Sequence, residues 1–205
     1  MLYIKLIMNN RNEKFDEYFW ESQLRHEDIK LHSCMQAIPA VIDLPGEDEM
    51  LMKRIPKQPE YSVFDSVNNQ EFLSDDLFDM EKILNSENAK HSEWFKVYSD
   101  IDKLMRSWTI YYVEETDNYD IFRILCLYAR LLGLAVNIIN YTNEGQINLF
   151  KAVSKRMISK LNKILSLIES GDFDSIIATN QTLGLFRIRS LVLNLLFAAK
   201  NKKSE

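Results

Sequence analysis

The amino-acid sequence predicts an all-α protein, a single-domain bundle of six or seven mostly antiparallel helices with a proline-rich loop after the first long helix. Three observations carry this. Five glycines and four prolines in 205 residues are too few for the tight turns that sheets require. No hairpin dipeptide such as Asn-Gly or Asp-Gly occurs anywhere. Apolar side chains recur at steps of three and four over long windows, the period of a helix face.

The elements follow in order. Asn12 to about Ala37 is helix-like, with Phe15, Tyr18, Phe19, Ile29 and Met35 available to one side and charges of alternating sign. All four prolines, Pro39, Pro45, Pro56 and Pro59, then fall together beside Gly46 and Glu47-Asp48-Glu49, which reads as a loop over residues 39–60. Ser74-Asp75-Asp76 offers an N-cap for a short helix to Asn85. Trp94, Tyr98, Ile101, Met105, Trp108 and Tyr112 stand 4, 3, 4, 3 and 4 apart, a seam facing a partner helix. Asp117 with Asp120 resembles a capping box opening a central helix from Asn118 to Tyr141. A basic helix from Gln146 to Ser170 carries Phe150, Val153, Met157, Leu161, Ile164 and Ile168, and Gly171 closes it. Asp172–Asn180 reads as one further short helix, and Thr182 as the cap of a last one. The expected domain is 12–200, preceded by an extension over 1–11 and followed by a disordered tail over 201–205.

Composition narrows the class. With 46% apolar and 27% charged residues the chain is globular, which excludes wholesale disorder. Cys34 and Cys126 lie far apart inside apolar segments and read as free thiols in a reducing, cytoplasmic setting. Leu2–Met8 is apolar but short and broken by Lys5, so it reads as a short strand, an extra turn, or residues ahead of a start at Met8. Ile121–Ile139 is nearly long enough to cross a bilayer. Arg123 and Arg130 interrupt it, each costing roughly 2.5–3.5 kcal/mol at mid-membrane on insertion scales. The expectation is therefore a core helix with one polar stripe and no membrane span.

The net charge of −5 hides a split. Residues 1–120 hold 25 acidic and 13 basic side chains, whereas residues 121–205 hold 5 and 12. Lys151, Lys155, Arg156, Lys160 and Lys163 fall opposite the apolar stripe of the basic helix, with no carboxylate between Glu144 and Glu169. As a site, this face fits an anionic partner; the plainer alternative is a solvated face neutralised by the acidic half. The overall acidic balance favours a protein partner over nucleic acid.

Catalytic grammar is sparse. His26, His32 and His91 have no glutamate three residues before them, and neither His-Glu-x-x-His nor Cys-x-x-Cys occurs, so no metal is assigned. Asp28 with His32 and Glu87 with His91 are i,i+4 pairs of the kind that surface contacts also produce. The glycines cannot form a phosphate loop. No catalytic residue and no cofactor is assigned.

Arg25-His26-Glu27-Asp28-Ile29-Lys30-Leu31-His32 resembles the Arg-(four to six residues)-His pattern of HEPN-type helical ribonucleases, over eight residues. The resemblance implies Arg25 stabilising charge on an RNA phosphodiester and His32 handling a proton. It departs from the family pattern in lying on the first long helix, among acidic residues.

The expectation is a non-enzymatic helical interaction or regulatory protein, self-associating through its acidic N-terminal and basic C-terminal portions. The alternatives are a nucleic-acid-binding protein or HEPN-like ribonuclease, and a bundle holding a small ligand between Trp94, Tyr98, Trp108 and Tyr112.

Overall fold

A computed structural model describes residues 17–40, 45–54, 92–112, 119–142 and 147–201. Among them every regular element is helical. The order is α1 (Glu17–Ala37), a 3-10 turn (Ile38–Ala40), α2 (Glu47–Arg54), α3 (Glu93–Tyr112), α4 (Tyr119–Thr142), α5 (Ile147–Ser170) and α6 (Ser175–Asn201). The expected extension, the Ser74–Asn85 helix, the Asp117 cap, residues 41–44 and 55–60 of the proline-rich stretch and the tail after Asn201 lie outside the described residues.

Helices α3 to α6 form a ring in which each packs on the next and α6 closes back on α3. This is the up-and-down four-helix arrangement that short connections impose. The seam expected on α3 does face inward. Trp94, Ile101, Trp108 and Tyr112 are buried, joined by Val97, while Tyr98 and Met105 sit at the margin. The shift arises because α3 meets two neighbours, α4 and α6, and so buries a wider face than one seam. Every member of the α5 stripe, from Phe150 to Ile168, is buried. Helix α4 supplies the centre through Ile124, Tyr128, Leu131, Leu134 and Ile138.

Helix α1 lies outside this ring, against α5 and the edge of α4. Trp20, Leu24 and Met35 anchor it, and the Tyr119 hydroxyl donates to the Met35 carbonyl at 3.1 Å. Within the proline-rich stretch the chain is not all loop. Pro45 and Gly46 make a turn, with Gly46 at φ +76°, a conformation only glycine takes cheaply. The Met50 amide then donates to the Gly46 carbonyl at 3.1 Å and opens α2.

Two elements expected between 172 and 200 are one. Asp174, not Thr182, caps α6: its Oδ1 accepts from the amides of Ile176 and Ile177 at 2.9 and 3.1 Å. The helix then runs unbroken through Gly184, whose bare Cα lets the Leu104 side chain of α3 approach. The Gly171 amide donates to the Leu167 carbonyl at 3.0 Å and ends α5 as expected. The Phe173 ring lies where a Cβ at Gly171 would stand, and it packs edge-on to Trp108 and Tyr112.

The expectation of no membrane span is corrected. Tyr119–Ile139 and Ser175–Ala199 are both long and apolar enough to cross a membrane by length and composition. Two arginines in twenty-odd residues do not offset that apolarity. In the fold, half of the first window is buried but only 22% of the second.

Candidate functional site

The acidic face of α1 meets the basic face of α5. Glu17, Glu21 and Asp28 fall within about 40° of one another at 100° per residue, alongside buried Leu24. Because α1 runs parallel to α5, they meet its cations in sequence. Lys155 pairs with Glu17. Arg156 donates to Glu21 Oε1 at 2.5 Å and reaches Asp28 Oδ2 at 3.4 Å. Lys160 lies 2.8 Å from Asp28 Oδ2.

Arg130 of α4 enters from the other side, donating to Glu27 and standing 3.6 Å from Asp28 Oδ1. Asp28 thus faces three cations. Its side chain is 12% exposed and that of Arg156 14%, whereas Lys155 is 52% exposed. The inner members, Arg130, Arg156, Lys160, Glu21, Glu27 and Asp28, balance at zero net charge. At Lys155 the hydrogen bond it donates to Glu17 raises the ammonium pKa.

The five residues of the expected anion-binding face therefore divide. Lys155, Arg156 and Lys160 are turned to carboxylates of their own chain. Lys151 and Lys163 have no carboxylate within ion-pair distance among the described residues. Sequence reasoning noticed Arg130 only as half of a polar stripe on α4. The signal for its role was present: a charged residue on a mostly buried helix needs a partner. Its companion Arg123 pairs with Asp120 at 2.9 Å and lies 5.3 Å over the Tyr119 ring.

The constellations tested for chemistry do not converge. Arg25 is exposed on α1, paired with Glu21 at 3.4 Å, and His32 is exposed two turns further on, about 10 Å away along the axis. The His26 Nδ1 lies 2.8 Å from the Ser22 carbonyl. No group of three His, Cys, Asp or Glu side chains among the described residues is placed to hold a metal ion. The aromatic seam is filled by protein. Trp94 packs edge-on to Phe150, and Trp108 is enclosed by Tyr112 and Phe173 while its Nε1 donates to the Ile121 carbonyl at 3.4 Å.

Two further polar features lie in the helices. The Tyr128 hydroxyl of α4 donates to Gln181 Oε1 of α6 at 2.6 Å, and Gln181 Nε2 donates to the Leu104 carbonyl of α3 at 3.1 Å. This chain of bonds ties three helices inside the core, and burial holds the Tyr128 phenol far above its usual range. Cys34 and Cys126 are both half-buried and free. Burial, and then the nearby charge of Cys34, push the Cys126 thiol up to about 11.

The other surface of note is the outer face of α6. Ile176, Leu183, Phe186 and Phe197 are 71%, 64%, 49% and 58% exposed. They lie opposite the inward face made by Gln181, Leu185, Ile188, Val192 and Leu196. Ile110 and Tyr111, exposed near the end of α3, lie at the register of Ile176, since Asp100 meets Arg187 and Leu104 meets Gln181. Placing a helix break before Thr182 concealed this face from the sequence reading. The signal was the seven-residue spacing of Ile176, Leu183, Ser190 and Phe197.

No protein-family model matches the chain, and no curated protein or solved structure matches it.

Proposed function

We propose that this chain is a non-enzymatic helical interaction module that docks its partner on the outer face of α6. The observation that carries the reading is the exposed apolar row Ile176, Leu183, Phe186 and Phe197 on a helix whose opposite face is already buried. A helix apolar on both sides implies a second contact. The charge split, read from the sequence as the docking device, is taken up inside the molecule, where α1 neutralises the centre of the basic face. Electrostatics then hold α1 in place, and association falls to the exposed apolar side chains of α6, Ile176, Leu183 and Phe186 first among them.

The test has three arms on the full chain: alone at rising concentration, with a short duplex RNA, and with vesicles containing anionic lipid. Sedimentation reads the first two and flotation the third. Association in the first or third arm that Leu183→Glu removes, with the helical circular dichroism signal unchanged, supports the reading. A chain that associates in no arm overturns it. So does binding confined to RNA and lost on Lys151→Glu with Lys163→Glu, which favours a nucleic-acid protein.

A further inference from the structure

We infer that the occupant of the α6 outer face is a second copy of this chain, packed antiparallel helix against helix; the inference rests on the docking reading above. The spacing points to a helix as the occupant. Ile176, Leu183, Ser190 and Phe197 recur every seven residues, and Thr179, Phe186 and Leu193 each follow three residues later. That is a heptad seam of the kind coiled-coil helices share, sustained for three repeats on the side facing away from the bundle. A lipid surface has no register to match, and it gains nothing from the polar Thr179 and Ser190 on the seam.

Those two polar residues are prepared for burial. The Thr179 hydroxyl donates to the Ser175 carbonyl at 2.7 Å, and the Ser190 hydroxyl to the Phe186 carbonyl at 3.0 Å. Each is satisfied by its own helix, so covering it leaves no unpaired donor. What each presents outward is a small gap.

The gaps fit this chain's own bulk. In an antiparallel pair, the register that sets Leu183 beside Leu193 of the second copy also sets Phe186 beside its Ser190 and Phe197 beside its Thr179. Each aromatic ring then meets a small residue and each leucine a leucine. A parallel pair would set Phe186 against Phe186 and Ser190 against Ser190, crowding one layer and hollowing the other.

Charge permits the self-contact. Between Ile176 and Phe197 the exposed cation of α6 is Arg187, which donates to Asp100 Oδ2 of α3 at 2.6 Å. The patch therefore meets its own image without an uncompensated like charge, as a two-fold contact requires. The area is modest. At roughly 100 Å² for each half-exposed phenylalanine and similar amounts for Ile176 and Leu183, with little more from the partly covered Leu193, the seam offers on the order of 400 Å² per copy. A standard interface takes about 800 Å² per partner, so the dimer belongs to the weak, reversible class.

Sedimentation equilibrium of the full chain between about 1 and 300 μM tests the inference. The expected result is a reversible shift from one chain to two, abolished by Leu183→Glu, with the helical signal retained. Mixed Phe186→Cys and Ser190→Cys chains should form a disulfide joining positions 186 and 190 between copies under mild oxidation by oxidised glutathione. A wild-type chain that stays single throughout overturns the inference, as does a dimer that Leu183→Glu leaves intact. A disulfide joining position 190 to itself overturns the antiparallel register. A single chain that floats with anionic vesicles, and ceases to do so on Leu183→Glu, overturns the second copy as occupant while the docking reading stands.

Discussion

Arg156 of α5 donates to Glu21 of α1 at 2.5 Å, and the same guanidinium reaches Asp28 two turns further along α1. One arginine thus spans two carboxylates of a helix that no covalent connection holds nearby, since 135 residues separate Arg156 from Glu21 in the chain. Removing one partner of a largely buried pair leaves the others unpaired, which costs about 3–5 kcal/mol in fully buried cases. At the exposures seen here, Arg156→Met should cost about 2–3 kcal/mol. The outer pair is different. Lys155→Ala should change stability by less than about 0.5 kcal/mol, because its ammonium is half in water. Urea unfolding of the two variants measures the contrast.

The buried chain of bonds through Tyr128 predicts a second loss. Tyr128→Phe removes the donor to Gln181 Oε1 and leaves that acceptor enclosed by core, at a cost of about 1–2 kcal/mol. Replacing both partners, Tyr128→Phe with Gln181→Leu, should cost less than the two single changes added together. A double-mutant cycle in denaturant reads the coupling.

Two glycines inside helices should respond with opposite sign. A Cβ at Gly133 meets nothing within 4 Å, so Gly133→Ala should stabilise α4 by about 0.5–1 kcal/mol through helix propensity. A Cβ at Gly184 comes within 2.6 Å of Leu104 Cδ2 and must push that side chain aside. Gly184→Ala should forfeit the propensity gain and cost about 1 kcal/mol through overpacking between α3 and α6. Thermal melts of both variants check the pair.

The Cys126 thiol, pushed up to about 11 by burial, should resist alkylation. At pH 8 its thiolate fraction is about one in a thousand, so iodoacetamide should modify it only slowly until urea unfolds the chain. The linkage has a definite sign. A thiol whose folded pKa lies above its unfolded value stabilises the fold at neutral pH, and that contribution is lost as pH rises from about 9 to about 11. Cys126→Ala should therefore flatten the loss of thermal stability over that window, as a series of melts against pH would show.

The helices with one apolar stripe were legible in the sequence, and those with two were not. Helix α5 has a single buried face, and all six residues of its predicted stripe are buried. Helix α6 is apolar on both faces, so its pattern has no single preferred direction, and the chain around Thr182 looked like a cap when Asp174 holds that place. The basic residues of α5 were legible as a face, but not what lies against it. Charge along a chain does not say which acidic segment folds back, and the answer came from α1 through Glu17, Glu21 and Asp28. Arg130 escaped for the same reason: its partners lie about a hundred residues away.

The pairing of α1 with α5 is tested most directly by zero-length carbodiimide cross-linking, mapped by mass spectrometry on the single-chain band. Amide links joining Lys155 to Glu17 and Lys160 to Asp28 are the predicted products, formed at dilution and retained in Leu183→Glu. If those lysines stay unlinked to α1, or join it only in covalent dimers, the basic face is not filled by the chain's own acidic helix and the account fails.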